Sequence, residues 1–305
     1  MPEESQNVSQ NVRLAVRDLP GRPVHETARA RLRLAGLALT VSALSGCLGV
    51  FANDGTSVSV GSHSKGALLH GVAMPFAGAG YGIHPDWRLR NHRYTTAAIV
   101  RWLTGVFREV DRAIPGSTAY LGDLSGRNGG DVAMHRSHAS GRDIDIFYFA
   151  SDADGMPMNG IPAMLHFASD GQAVRWSSGK VGRPINEPLP HAHFDAQRNW
   201  ALVRAMLENP VSEVQWIFIH RDLASLLIAE AERLGAPAAT VNRARAVFHQ
   251  PTDSQPHDDH MHVRVFCDPG ERAFGCSDKG PRRWLKKHWK YMRASDQIPV
   301  SYSNG

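Results

Sequence analysis

Hydrophobic positions recur along the chain with two different periods, and each period predicts a different element. Between Thr95 and Val110 the apolar residues Ile99, Leu103 and Phe107 fall four apart, which predicts an amphipathic helix. A second helix is expected from Ala196 to Leu207, with Trp200, Leu202, Val203 and Leu207 as its apolar face, and a third from Leu223 to Leu234. Asp143–Phe149, Glu213–Ile219 and His260–Phe266 read instead as strands, the last by strict alternation. Strands and helices mix without a regular βαβ repeat. The expected class is therefore α+β rather than a doubly wound sheet.

Composition sets the limits of the domain. From Gly61 to about Tyr291 no break in composition appears, so one domain is expected over 61–295, followed by a flexible tail at 296–305. Ahead of it, Arg29, Arg31 and Arg33 precede an apolar run from Leu34 to Leu44, which is too short to span a bilayer as a helix. The run ends in Leu44-Ser45-Gly46-Cys47, which resembles a bacterial lipobox. Residues 1–46 are then a signal peptide, Cys47 is the lipid-bearing residue, and 47–60 form a tether. The stretch before the arginines is long and partly acidic for such a signal, which makes Val24 a candidate true start. With Cys47 assigned, Cys267 and Cys276 remain as an even pair, expected to close a short disulfide loop in an exported chain.

The net charge of +5 favours an anionic surrounding such as a wall polymer or a membrane face. Nucleic acid is not expected, because no basic stripe interleaves with aromatics. No Gly-x-Ser-x-Gly is present, and His25-Glu26 is not followed by the second histidine of a zincin helix. The oligomeric state has no signature in the sequence.

Two histidine-rich clusters carry the candidate chemistry: His135-Arg136-Ser137-His138-Ala139-Ser140-Gly141-Arg142-Asp143-Ile144-Asp145, and His257-Asp258-Asp259-His260-Met261-His262-Val263-Arg264. On a strand, His260 and His262 leave the same face, with Met261 and Val263 behind. Asp143 and Asp145 likewise share a face. If the two strands are neighbours, a loop histidine and a strand aspartate converge on the paired imidazoles. Catalytic zinc takes three protein ligands and keeps a position for water, and a further histidine can move a proton. Nitrogen and carboxylate donors suit zinc, while manganese and iron stay open by ligand type alone. Most of the 16 histidines must be ordinary, and His25, His63, His70, His84, His92, His166, His220, His249 and His288 are read as surface or core residues. His191 and His193 show the same two-apart spacing, so spacing alone is weak grounds for a site.

In order along the chain, HRSHASGRDID and HDDHMHVR resemble the signature of the penicillin-insensitive murein endopeptidases, within the lysostaphin, D-Ala-D-Ala metallopeptidase and hedgehog superfamily. Gly122-Asp123-Leu124-Ser125, Gly129-Gly130 and Gly80-Tyr81 are similar to the family too, so the likeness runs from about Gly61 to Cys276. The resemblance implies one zinc ion held by His138, Asp145 and His262, with His260 as the catalytic histidine. It makes His135 and His257 further active-site histidines, His135 supplementing the metal shell and His257 serving catalysis. It implies a small antiparallel sheet carrying the zinc, peripheral helices, and hydrolysis of the D-alanyl to meso-diaminopimelyl bond in peptidoglycan stem peptides. A periplasmic, lipid-anchored enzyme follows. A D,D-carboxypeptidase or other wall peptidase of the superfamily stays open, as does a zinc-binding module without catalysis. Residues 150–190 and the His191-Ala192-His193-Phe194-Asp195 segment depart from the family pattern.

Overall fold

The computed structural model describes residues 57–159, 164–178, 184–252 and 254–278. The signal, Cys47 and the tail at 296–305 lie outside the described residues. The first half of the chain contributes β1 (Val58–Gly61), β2 (Gly66–Leu69), β3 (Val72–Ala73), β4 (Ala77–Gly78), β5 (Tyr81–Ile83), α1 (Pro85–Arg88), β6 (Tyr94–Thr95), α2 (Ala97–Ala113), β7 (Ala119–Leu121) and β8 (Asp143–Phe147). There follow β9 (Ala150–Ser151), β10 (Pro157–Met158), β11 (His166–Phe167), β12 (Gln172–Ser178), β13 (Pro184–Phe194), α3 (Ala196–Glu208) and β14 (Val214–Phe218). The last elements are α4 (Arg221–Arg233), α5 (Ala238–Val247), β15 (Phe248–His249), β16 (His260–Val265) and α6 (Pro269–Arg272).

The principal sheet has seven strands in the order β15-β14-β16-β8-β7-β5-β4. This corrects the expected small antiparallel sheet. Its centre, β14-β16-β8-β7, is antiparallel, but β5 with β7 and β14 with β15 are parallel. Helix α2 lies in the connection from β5 to β7, and α4 and α5 in that from β14 to β15; such crossovers return the chain in the same direction. Alternation within a strand reports which face is buried and says nothing about the direction of its neighbour. A second sheet of five antiparallel strands, β10-β9-β13-β12-β11, is built from residues 150–194.

Helix α2 forms where the apolar period predicts. Thr96 caps it by accepting from the Ile99 amide. Ile99, Trp102, Leu103, Val106, Phe107 and Val110 are buried along one stripe. The helix ends at Ile114, which precedes Pro115 and is therefore biased away from helical backbone. Helix α3 is not peripheral, a second correction. It packs against α2, α4 and α5, and nine of its residues are buried, including Arg198 and Asn199. Asn199 is tolerated there because its side-chain amide bonds both the amide and the carbonyl of Phe149, at 3.0 and 2.8 Å. The Ile144 and Ile146 side of β8 and the Met261, Val263 and Val265 side of β16 join these helices in one apolar core. The opposite side of the same two strands carries Asp143, Asp145, His260, His262 and Arg264, with Phe147 at its end.

Residues 58–60, read as the end of a tether, instead begin β1, and Ser59 is fully buried. The Cys267–Cys276 disulfide forms as expected, with Cα atoms 5.9 Å apart. Its loop holds β1: Gly61 donates to the Gly275 carbonyl, and Ser277 donates to the Gly61 carbonyl. Buried Arg142 bonds Asp278 at 2.9 Å, the Val265 carbonyl at 3.0 Å and Ser59 Oγ at 3.1 Å, joining the start and end of the domain beside β8. Among the described residues no helix is long and apolar enough to cross a membrane.

Because the cysteines are 9 residues apart in sequence, replacing both with serine should cost about 2–3 kcal/mol by the chain-entropy estimate. Urea unfolding of the double variant against the oxidised parent checks this.

Candidate active site

Strand register assembles the site. In the antiparallel pair of β16 and β8, His262 lies opposite Asp145, Arg264 opposite Asp143 and His260 opposite Phe147. His262 Nδ1 comes within 3.1 Å of Asp145 Oδ1, while its Nε2 lies 2.8 Å from Asp143 Oδ1. The Asp143 carboxylate also accepts from Arg264 Nε at 2.7 Å. His138 reaches the same point from the loop before β8. Its backbone has φ of 70°, a left-handed conformation uncommon outside glycine. Its ring Nδ1 donates to the Leu124 carbonyl, so Nε2 points inward, 3.4 Å from Asp145 Oδ1.

Three further histidines surround this centre. His135 Nε2 lies 3.0 Å from Asp123 Oδ2, and its Nδ1 is 4.0 Å from Asp145 Oδ2. Asp123 stands beside Asp145 because the Asp145 amide donates to its backbone carbonyl; Arg90 holds its side chain at 2.7 Å. His260 donates from Nδ1 to Asp259 Oδ1 at 2.7 Å and turns Nε2 to within 3.6 Å of Asp145 Oδ1. The buried His257 ring sits with its centroid 5.2 Å from that of His260 and 5.8 Å from that of His262. An open cleft of about 620 Å³ gives access to these groups, with His63, His135, Phe218, His257, His260 and His262 in its walls.

The donor set fits a cation. His138 Nε2 and Asp145 Oδ1 are buried and make no well-formed hydrogen bond, facing only each other and the other inward nitrogens at 3.1–3.6 Å, a costly state for polar atoms unless something further satisfies them. The second nitrogen of His135, His138, His260 and His262 is engaged by an oxygen, so in its neutral form each of these rings is left to present a lone pair at the inward nitrogen. His135, His138 and Asp145 form one group able to hold a metal ion, and His257, His260 and His262 another.

The local field separates the titrating groups. Burial alone would raise the Asp145 carboxyl, but the charges of His138 and His260 outweigh it and hold the group well below the usual range. For Asp143, burial is outweighed by Arg264 and His262 in the same sense. Burial opposes the charged form of His260, yet Asp259 and Asp145 push its pKa up to about 9. His257 goes the other way: burial, then the His260 and His262 charges, bring it down to about 3.

A sequence profile described as penicillin-insensitive murein endopeptidase matches residues 59–284 of the chain. The chain belongs to this family. Similar proteins carrying that name include one from Klebsiella pneumoniae (strain 342), 26% identical over 238 residues that cover 74% of this chain and 72% of the relative. Another, from Haemophilus influenzae (strain ATCC 51907 / DSM 11121 / KW20 / Rd), is 24% identical over 234 residues, 75% of this chain and 69% of the relative.

As a member of the murein endopeptidase family, the chain brings together all six residues singled out in its sequence: His135, His138, Asp145, His257, His260 and His262. His191 and His193 belong to none of the metal-capable groups among the described residues; His191 is exposed, and His193 lies beside a different, smaller pocket. Sequence reasoning gave no role to Asp143, Asp123 or Asp259, each of which anchors a histidine of the site. Asp143 had a signal in its shared strand face with Asp145. Asp123 had only the local Gly-Asp-Leu-Ser resemblance. His63, read as ordinary, lines the cleft, and burial with Arg264 nearby lowers its pKa to about 4.

His63 and His257 make a pH prediction for the protein stripped of metal by a chelator. Below the ordinary value of 6.5, an unfolded chain binds protons that these two folded imidazoles do not accept until about pH 4 and 3. Their contribution is therefore intact above 6.5 and is lost as pH falls through that window. Urea midpoints of His63→Asn should decline less steeply between pH 6.5 and 4 than those of the parent.

Proposed function

We propose that this chain is a zinc-dependent murein endopeptidase that hydrolyses the D-alanyl to meso-diaminopimelyl cross-link of peptidoglycan. One observation carries the reading: His138 Nε2 and His262 Nδ1 both approach Asp145 Oδ1, at 3.4 and 3.1 Å, with their opposite nitrogens anchored. Family membership supports the substrate class, since the similar proteins are named as murein endopeptidases.

His138, Asp145 and His262 would hold the ion, with His135 beside them. A zinc ion so held would supply Lewis acidity towards the scissile carbonyl and lower the pKa of a water molecule. The protein's own groups handle the protons. His257, kept neutral by burial and neighbouring imidazoles, offers an uncharged hydrogen-bonding ring to substrate in the cleft. His260, its charged form favoured by Asp259 and Asp145, is able to stabilise developing negative charge and to donate to the departing amine. The open cleft admits a branched peptide better than a closed pocket would.

In this reading the enzyme works in the periplasm, anchored through a lipid on Cys47. The lipobox-like run supports export, and the Cys267–Cys276 disulfide suits an oxidising compartment.

Purified protein incubated with cross-linked muropeptide dimers should yield monomers, lose that activity to a chelator, and regain it on adding zinc; mass spectrometry reads the products. Release of terminal D-alanine alone would point to a carboxypeptidase, and no turnover to a binding module. His260→Ala should retain zinc but lower kcat by about 10²–10⁴-fold. Asp143→Ala should weaken zinc binding by about 10–100-fold, measured by chelator competition, because His262 loses the partner that orients it.

A further inference from the structure

The turn entering β16 carries two carboxylates, Asp258 and Asp259, and strand β11 of the second sheet brings His166 against both. Asp259 Oδ1 accepts from His260 Nδ1 at 2.7 Å. Its other oxygen, Oδ2, is 3.8 Å from His166 Nε2. His166 Nδ1 in turn lies 2.9 Å from Asp258 Oδ1, and the Phe167 amide donates to the Asp258 carbonyl at 2.9 Å. The row thus runs from the second sheet, through Asp258, His166 and Asp259, to His260, whose Nε2 faces Asp145 Oδ1 at 3.6 Å. These side chains are about a fifth exposed, with Asp259 at 20%, His166 at 22% and Asp258 at 24%.

A neutral imidazole carries its proton on one nitrogen or the other, and the partner of the anchored nitrogen decides which. A carboxylate against Nδ1 keeps a proton there in the charged ring and, once Nε2 has given its proton up, selects the Nδ1–H form of the neutral ring, so Nε2 is the reactive atom in either state. It also stops the ring from turning about χ2. The carboxylate performs this only if it is itself held, and the turn at Asp258-Asp259 has no regular structure of its own to hold it. The His166 contact supplies that restraint. His166, Asp258 and Asp259 also have the composition of a cation site. Here, however, one oxygen of each carboxylate is already engaged by an imidazole nitrogen at 2.7–2.9 Å.

We propose that Asp259 is a positioning residue that sets the tautomer and orientation of His260, and that His166 with Asp258 buttresses it from the second sheet. The inference rests on the catalytic role given above to His260. It also assigns a purpose to β11.

The test uses full-length, zinc-loaded protein and the muropeptide dimer, comparing the parent with Asp259→Asn, Asp259→Glu and His166→Gln. Zinc content, kcat, KM and the ¹⁵N spectrum of His260 are measured for each. Asp259→Asn preserves size and polarity but offers an amide that can turn its donor to Nδ1. It should lower kcat about 10–100-fold, leave KM within about twofold and zinc unchanged, and shift the neutral form of the His260 ring towards Nε2–H. Asp259→Glu should recover part of the kcat, and His166→Gln should lower kcat by a smaller factor through the same parameter. Parental kcat and an unchanged tautomer in Asp259→Asn would overturn the proposal while leaving the peptidase reading intact. If the parent itself cleaves no dimer, the peptidase reading fails, and the tautomer spectra alone decide the positioning role.

Discussion

The register between β8 and β16 is the constraint on which the site depends. Ile144 and Ile146 on one strand and Met261, Val263 and Val265 on the other are sealed into the helix-covered core. A slip by one residue would turn all of them outward and drive Asp143, Asp145, His260 and His262 into apolar surroundings. Burial of the aliphatic set therefore fixes which polar residues face each other. His262 meets Asp145 across the ladder because Val263 meets Ile144 and Met261 meets Ile146. The free energy that positions the chemistry comes from the side of the sheet that does no chemistry.

Around that ladder four imidazoles are held at their outer nitrogens. Leu124 supplies a carbonyl to His138, and Asp143, Asp123 and Asp259 supply carboxylates to His262, His135 and His260. The result is a ring of inward nitrogens around one buried carboxylate. Such a concentration of buried charge persists only when each member has partners. Arg264 and Arg90 offset Asp143 and Asp123, and Asp145 is left with histidines alone. That asymmetry, one carboxylate facing several imidazoles and no arginine, is the electrostatic form of a place prepared for a cation.

The outer parts of the domain restrain this centre from several directions. Arg142, next in sequence to Asp143, ties the end of β16 to the disulfide loop and to Ser59 of β1, so the chain segments on either side of the domain close over one buried guanidinium. Tyr148, just past β8, donates to the His257 carbonyl at 2.8 Å and so fixes the other end of the histidine-rich turn. The second sheet adds the His166 contact. The site is thus gripped by parts of the chain more than 100 residues apart in sequence.

How much of this was legible beforehand differs from element to element. Alternation at His260–Val265 and Asp143–Phe147, and the four-residue period in α2 and α3, placed the main elements, because local periodicity records which side of an element is buried. Type and spacing of His138, Asp145, His260 and His262 suggested donors able to converge on a metal, and the family resemblance singled out His138, Asp145 and His262 among them. The parallel edges of the sheet, the burial of α3 and the five-stranded second sheet were not legible, since strand direction and layer order depend on partners distant in the chain. Nor was the pairing of Asp143 with His262, Asp123 with His135 or Asp259 with His260. A carboxylate in a sequence is only a charge, and it acquires a role when folding sets one of its oxygens within 3 Å of a particular nitrogen. The sequence by itself determined the donors and the faces they occupy. Tertiary structure decided which nitrogen of each ring looks inward, because that choice belongs to hydrogen bonds between segments that only the packed core brings together.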